Sequence, residues 1–89
     1  MNNRYVVDVP SYYSVGLARL TALRECVMHS RLFREFSEGR QDDEDLDQFS
    51  KRMDDFILDR NVRIIDEKIV GRIDGNRYIT DVEFVVTWD

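Results

Sequence analysis

The chain has 89 residues, 43% of them apolar, with 18 acidic against 13 basic side chains for a net charge of −5, one proline, four glycines and a single cysteine. That is room for one domain, residues 1–89, with a real but thin core, and a lone cysteine cannot staple it internally, which suits a reducing, cytoplasmic setting. No apolar run approaches the roughly 20 residues of a membrane span, and residues 1–5 lack the basic start and apolar stretch of a signal peptide.

Residues 4–9 are β-branched and aromatic and run into Pro10, which has no N–H to give a ladder, so they predict a short first strand. A helix is expected from Ser11 or Ser14, either of which can N-cap, to about Ser37, with Gly39 just beyond as its stop. At 100° per residue Tyr13, Leu17, Leu20, Leu23 and Val27 fall on one stripe; Ala18, Ala22, Cys26 and Phe33 fall on a second, towards which Met28, Leu32 and Phe36 drift in the last turns. A helix apolar on two sides is covered on two sides, one by a sheet and the other by a second helix or a partner chain.

The second helix has the cleanest pattern: Leu46, Phe49, Met53, Phe56 and Ile57 recur at i, i+3, i+7, i+10 and i+11 among charged and polar residues. Asp42 is placed to cap it, with Asp43, Glu44 and Asp45 in a first turn whose unpaired N–H groups favour carboxylates by about 0.3–1 kcal/mol each. Asn61 is a suitable left-handed stop.

From Val62 the period becomes two, and Asp74-Gly75 signals a hairpin. With Ile73 opposite Asn76, Gly71 meets Tyr78 and Ile69 meets Thr80, so that Ile65, Ile69, Ile73, Tyr78, Val82 and Phe84 share a face; Ile73 opposite Arg77 mixes charge into the core. Glu67 falls on the wrong face, which predicts a bulge near Asp66-Glu67. The expected fold is α+β: a small two-layer β-α-α-β-β domain, its antiparallel or mixed sheet carrying two helices on one face.

Charge is uneven along the chain. Residues 1–37 hold five Arg against three acids, residues 38–60 four bases against nine acids, and residues 61–89 four against six. The acidic run at residues 42–47 faces the connection from the first helix, so Arg31, Arg34 and Arg40 are expected to pair with it. That pairing outweighs a nucleic-acid role for the basic strip of Arg24, Arg31 and Arg34 with Tyr12, Tyr13 and His29 beside it.

Cys26 and His29 lie one helical turn apart, half of a zinc-site spacing, yet the sequence holds no second Cys or His. The carboxylate pairs Asp54-Asp55 and Asp66-Glu67 are adjacent in sequence and point apart, and Gly71 and Gly75 belong to no phosphate-binding motif. Neither catalytic residues nor a cofactor or metal is therefore expected. The excess is apolar: Val82, Phe84, Val86 and Trp88 point to one side of the last strand, Ile79, Val85 and the Thr87 methyl to the other. Such a strand is either central in a covered sheet or in contact with another molecule.

The expected activity is non-enzymatic protein binding, as a regulator, adaptor or inhibitor acting through an apolar and acidic surface, in a homodimer. The expected contact residues are Tyr12, Arg19 and Phe33 on the first helix, Phe84, Val85 and Trp88 on the last strand, and Asp42, Asp43 and Asp45 steering a partner with a basic surface. The alternative is an acidic mimic of nucleic acid that blocks a DNA- or RNA-binding protein. From the size, the starting Met and the lack of a linker, a stand-alone accessory protein is expected, of the kind of the small inhibitors that viruses and plasmids encode.

Overall fold

The computed structural model describes residues 3–10 and 14–89. In chain order they form β1 (Tyr5–Pro10), α1 (Val15–His29), α2 (Leu32–Glu38), α3 (Leu46–Asp59), β2 (Arg63–Asp74) and β3 (Arg77–Thr87). The strands lie in the order β1-β3-β2 and every pairing is antiparallel. The α+β class is as expected, with three helices in place of two. None of these helices is long and apolar enough to cross a membrane.

β3 is the central strand. Its even residues Val82, Phe84 and Val86, continued by Trp88, are buried in the core with Val9 of β1. From the helices, the same core takes Ala18, Ala22, Cys26 and Val27 of α1, Leu32 and Phe36 of α2, and Met53 and Ile57 of α3. The helices therefore cover one face of the sheet. The small side chains of Ala18 and Ala22, spaced four apart, let the α1 backbone approach closely, and Leu23 packs at the margin of the core.

The single long helix expected over residues 14–37 is broken at Ser30. α1 begins at Ser14, whose hydroxyl accepts from the Leu17 N–H at 3.1 Å. It ends at Ser30, whose backbone is extended while its N–H still bonds the Cys26 carbonyl. The Ser30 hydroxyl then accepts from the Leu32 N–H at 3.2 Å and starts α2. A continuous helix would carry Leu32 and Phe36 to 140° and 180° from Val27, at about 100° per residue. The break turns the chain so that all three are buried. Ser11 and Tyr13, the other candidate cap and the first member of the stripe, lie outside the described residues.

α3 is capped by Asp45, not by Asp42. The Asp45 carboxylate accepts from the Gln48 N–H at 2.8 Å, and the Gln48 side chain accepts from the Asp45 N–H at 2.9 Å, a complete capping box. Asp42 and Asp43 stand exposed in the preceding connection. Three residues are enough to shift the cap, because only Asp45 has an amide side chain at the third helical position to close the box. Asn61 takes the left-handed conformation, with φ of 51°, and ends the helix as expected.

In the hairpin the turn residues are Gly75 and Asn76, one position later than expected, since the last pair is Asp74 with Arg77. Gly75 alone has positive φ, 63°, the pattern of a type II′ turn with glycine first, whereas a type I′ turn needs positive φ at both positions. Each β2 residue consequently meets a β3 residue two positions further on: Ile73 pairs with Tyr78 and Ile69 with Val82. A shift of two leaves Ile69, Ile73, Tyr78, Val82 and Phe84 on one face as expected, but only Val82 and Phe84 are buried there; Ile69, Ile73 and Tyr78 are exposed, and Ile65 leaves the face at the bulge. The bulge is present between Ile64 and Asp66. It brings Ile64 opposite Val86, at the edge of the core, and leaves Ile65 exposed.

The ion pairs also differ from those expected within the α2–α3 connection. Arg24 of α1 bonds Asp54 of α3 at 3.1 Å, Arg60 at the end of α3 bonds Glu35 of α2, and Arg52 takes Glu44. Arg31 instead lies over the Trp88 ring, 5.7 Å from its centroid. Two of these pairs bind helix to helix: Arg24–Asp54 joins α1 to α3, and Arg60–Glu35 joins the end of α3 to α2, which the break at Ser30 turns towards it.

The capping geometry makes a direct prediction. Asp45→Ala should lower the unfolding free energy by about 1 kcal/mol, and Asp42→Ala should stay within about 0.5 kcal/mol of the parent. Urea denaturation of the two variants would show the opposite order if Asp42 were the cap.

Candidate functional site

Between α2, the connection that follows it and the start of α3 lies an open groove of about 460 Å³. Met28, Phe36 and Phe49 supply its apolar lining, and Phe33 and Leu46 stand at its rim. Phe33 is 42% exposed and Leu46 77% exposed. Leu46 is the first residue of α3, so it stays on the apolar stripe but lies ahead of anything that could cover it.

Arg52 lines the groove and joins its two sides. Its guanidinium grips the Glu44 carboxylate through two N–H groups, at 2.6 and 3.2 Å, and a third donates to the Phe36 carbonyl. Its plane sits 4.0 Å from the Phe36 ring centroid, a cation–π contact. The Arg52 hydrogen bonds hold the Glu44 carboxyl below the ordinary carboxylate range. Phe36 also meets Phe49 and Phe56 edge to face, each with centroids 5.5 Å apart, contacts worth about 0.5–1.5 kcal/mol apiece beyond area burial. Arg52 thus spends its charge inside the fold. Between Glu38 and Asp47 the sequence has six acids and one base, Arg40, and Asp42, Asp43, Asp45 and Asp47 are all exposed. The border of the groove is therefore a concentrated negative potential.

The residues expected to bind a partner fall into three groups. Phe33 and Asp45 both line the groove, with Asp42 and Asp43 in the connection beside it. Phe84 and Trp88 are buried in the core, so their bulk is used to pack the sheet against the helices and is not offered to another molecule. Val85 is buried on the opposite face, between Val6 and Asp66 on the flanking strands, because a central strand is shielded by neighbours on both sides. Arg19 forms a bidentate pair with Glu67 of β2, at 3.0 and 3.2 Å, which ties α1 to the sheet. Tyr12 lies outside the described residues. Met28, Leu46 and Phe49 belong to the groove although their spacing reads as core; the signal that separates Leu46 is its position at the helix start, directly after the acidic run.

Cys26 is fully buried on α1 and His29 is exposed one turn later, so the two do not converge on one cavity. Burial pushes the Cys26 thiol up to about 11, partly offset by a side-chain hydrogen bond with Ser30. A thiol of that acidity is protonated at neutral pH and is a poor nucleophile. Among the described residues no group of three or more His, Cys, Asp or Glu is placed to hold a metal ion.

No protein-family model, no curated protein and no solved structure matches this chain. Its chemistry is read from the residues themselves, and Cys26 offers a clean test. The folded-state value lies above that of an exposed thiol, near 9. Its contribution is therefore complete below pH 9 and lost as pH rises towards 11, on the order of 2 kcal/mol in all. Unfolding free energies at pH 8 and pH 10.5, compared between the parent and Cys26→Ala, should converge at the higher pH. Parallel curves would show that the thiol is not linked to folding.

Proposed function

We propose that the chain is a non-enzymatic protein-binding domain, a regulator, adaptor or inhibitor, that receives an apolar segment of a basic partner in the α2–α3 groove. The observation that carries this reading is the exposure of Phe33 and Leu46 above a floor of Met28, Phe36 and Phe49, directly beside the four exposed carboxylates of Asp42, Asp43, Asp45 and Asp47 at the start of α3. Covering Leu46 alone recovers most of the roughly 1.5–3 kcal/mol that a leucine gains on burial. Aromatic and methionine linings favour a helix laid into a groove, read by residues at i, i+3, i+4 and i+7. The acids would act earlier in the encounter, raising the on-rate of a positively charged segment and making it sensitive to salt.

The exposed acids alone would also serve a nucleic-acid mimic. The apolar lining favours the protein-binding reading, because a mimic needs charge without a hydrophobic seat. Peptide libraries displayed as amphipathic helices should yield ligands that combine Leu or Phe anchors with Lys or Arg. Leu46→Asp and Phe33→Asp should each weaken the selected peptide at least tenfold with an unchanged circular dichroism spectrum. Asp42→Asn with Asp43→Asn should chiefly slow association and flatten its salt dependence. Replacing the apolar anchors of the peptide by Ser without loss of binding would discard the groove and leave the mimic; selection of acidic ligands would discard both.

A further inference from the structure

The second unoccupied surface lies at the other end of the sheet. β1 ends at Pro10, opposite Asp81, so among the described residues β3 has only β2 paired beside it from Arg77 to Thr80. Beyond the Arg19–Glu67 pair the helix-side face of this ribbon is bare: Ile69, Ile73 and Tyr78 are 71%, 78% and 74% exposed. A two-stranded ribbon with an uncovered apolar face is marginal in water on its own. Its outer strand, β2, has a neighbour on one side only, runs for 12 residues and contains no proline. A two-residue turn closes on a hydrogen-bonded pair, here Asp74 with Arg77, so the even residues of β2 bond β3. Glu67, Ile69, Gly71 and Ile73 then direct their N–H and C=O groups out of the sheet edge.

We propose that this edge pairs with the same edge of a second copy, two β2 strands running antiparallel about a two-fold axis at Gly71, which joins the sheets into one of six strands. The strand is complementary to itself in that register. Ile69 lies opposite the second copy's Ile73, and Lys68 opposite the second copy's Asp74, each twice by symmetry. Centring the axis on Val70 instead sets Lys68 against Arg72 and Asp66 against Asp74, both like-charged; Lys68 or Arg72 at the axis would face itself. Ile69 at the axis avoids the repulsion but runs Ile73 into the bulge at Ile65. Gly71 suits the axis for a further reason: the Tyr78 side chain lies across it, so close that a Cβ there would stand 1.9 Å from the Tyr78 hydroxyl oxygen. Pairing brings the two Tyr78 hydroxyls together at the axis and gathers Ile69, Ile73 and Tyr78 from both copies into one apolar cluster.

Sedimentation from micromolar to near-millimolar concentration tests the pairing, and a cysteine pair tests the register. The parent should dimerise, and Ile73→Lys and Asp74→Lys, both at exposed positions, should each weaken the dimer at least tenfold while circular dichroism stays unchanged. Leu46→Asp, in the groove, should leave it intact. Mixing Ile69→Cys with Ile73→Cys should form a disulfide-linked heterodimer faster than either variant links to itself, since hydrogen-bonded antiparallel partners have Cα atoms about 5.5 Å apart; Cys26, being buried, does not compete. A parent that stays monomeric throughout, a dimer indifferent to Ile73→Lys, or a mixture that links no faster than its components would overturn the proposal.

Discussion

A three-stranded sheet has one strand with neighbours on both sides, and in this chain that strand is β3, the last in sequence. From Asp81 to Val86 it is paired along both edges, and its helix-side residues Val82, Phe84 and Val86 are buried. At roughly 1.5–3 kcal/mol for each fully buried large apolar side chain, this strand supplies a substantial part of a stability that is small for a chain of this length. β1 and β2 are separated in sequence by all three helices and do not pair with each other; each joins the sheet on one side of β3. The end of that strand is held accordingly. Arg60 donates to the Asp89 carbonyl at 3.2 and 2.9 Å, Asn61 and Arg63 hold the Asp89 carboxylate at 3.1 Å, and Asn3 donates to the Trp88 carbonyl at 2.9 Å. These bonds fasten the last strand to the end of α3 and to the start of β1, the two places where the sheet and helix layers meet.

The helices answer to the same face. α1 approaches through alanines, which leaves little volume for its own bulk to fill, and the remaining space is taken by Leu32, Phe36, Met53 and Ile57 from α2 and α3. Reaching it requires the turn at Ser30. Once α2 lies beside α3, Phe36 becomes the point at which the two helices meet: its ring touches Phe49, Phe56 and Arg52, and its carbonyl accepts from Arg52. Arg52 therefore serves packing as well as charge. Its aliphatic and planar parts cover an aromatic ring, while its donors hold Glu44 and so fix the loop that borders the groove.

Wherever a local pattern decides the outcome, the fold was legible in the residues. The strand ended by Pro10, the stripe of α3, the left-handed Asn61, the hairpin and the bulge beside Glu67 all follow from backbone rules that act over a few residues. What escaped depends on competition between near-equal local choices or on distant parts of the chain. Four acids precede Leu46, and only the side chain of Gln48 selects Asp45 among them as the cap. Asp74-Gly75 and Gly75-Asn76 are both good turns, and the type II′ geometry chosen places a single positive φ on glycine. Phe84 and Trp88 resemble interface residues in isolation, but three-dimensional packing uses them first. The groove was half visible: Phe33 and the acidic run were readable, whereas Leu46 and Phe49 matched the core pattern and are separated from it only by where α2 ends.

The two open surfaces have one origin in the arithmetic of coverage. α1 is 15 residues long, about 22 Å at 1.5 Å per residue, and its C-terminal half is the part that α2 and α3 can sandwich. β2 has 12 residues and β3 has 11, about 40 Å of ribbon at roughly 3.3 Å per residue. Helices of these lengths cannot shield the whole ribbon, so Ile69, Ile73 and Tyr78 are left beyond them. At the opposite end the α2–α3 connection carries a large excess of acids over its one base, Arg40, and folding it back over Phe33 and Leu46 would drive carboxylates onto an apolar surface. An exposed face that the chain cannot cover without stranding charge, and an exposed face that it is too short to cover, are two different kinds of vacancy. The first selects an occupant that brings positive charge with its apolar groups; the second selects one that brings a strand, and the strand whose charges match is the chain's own.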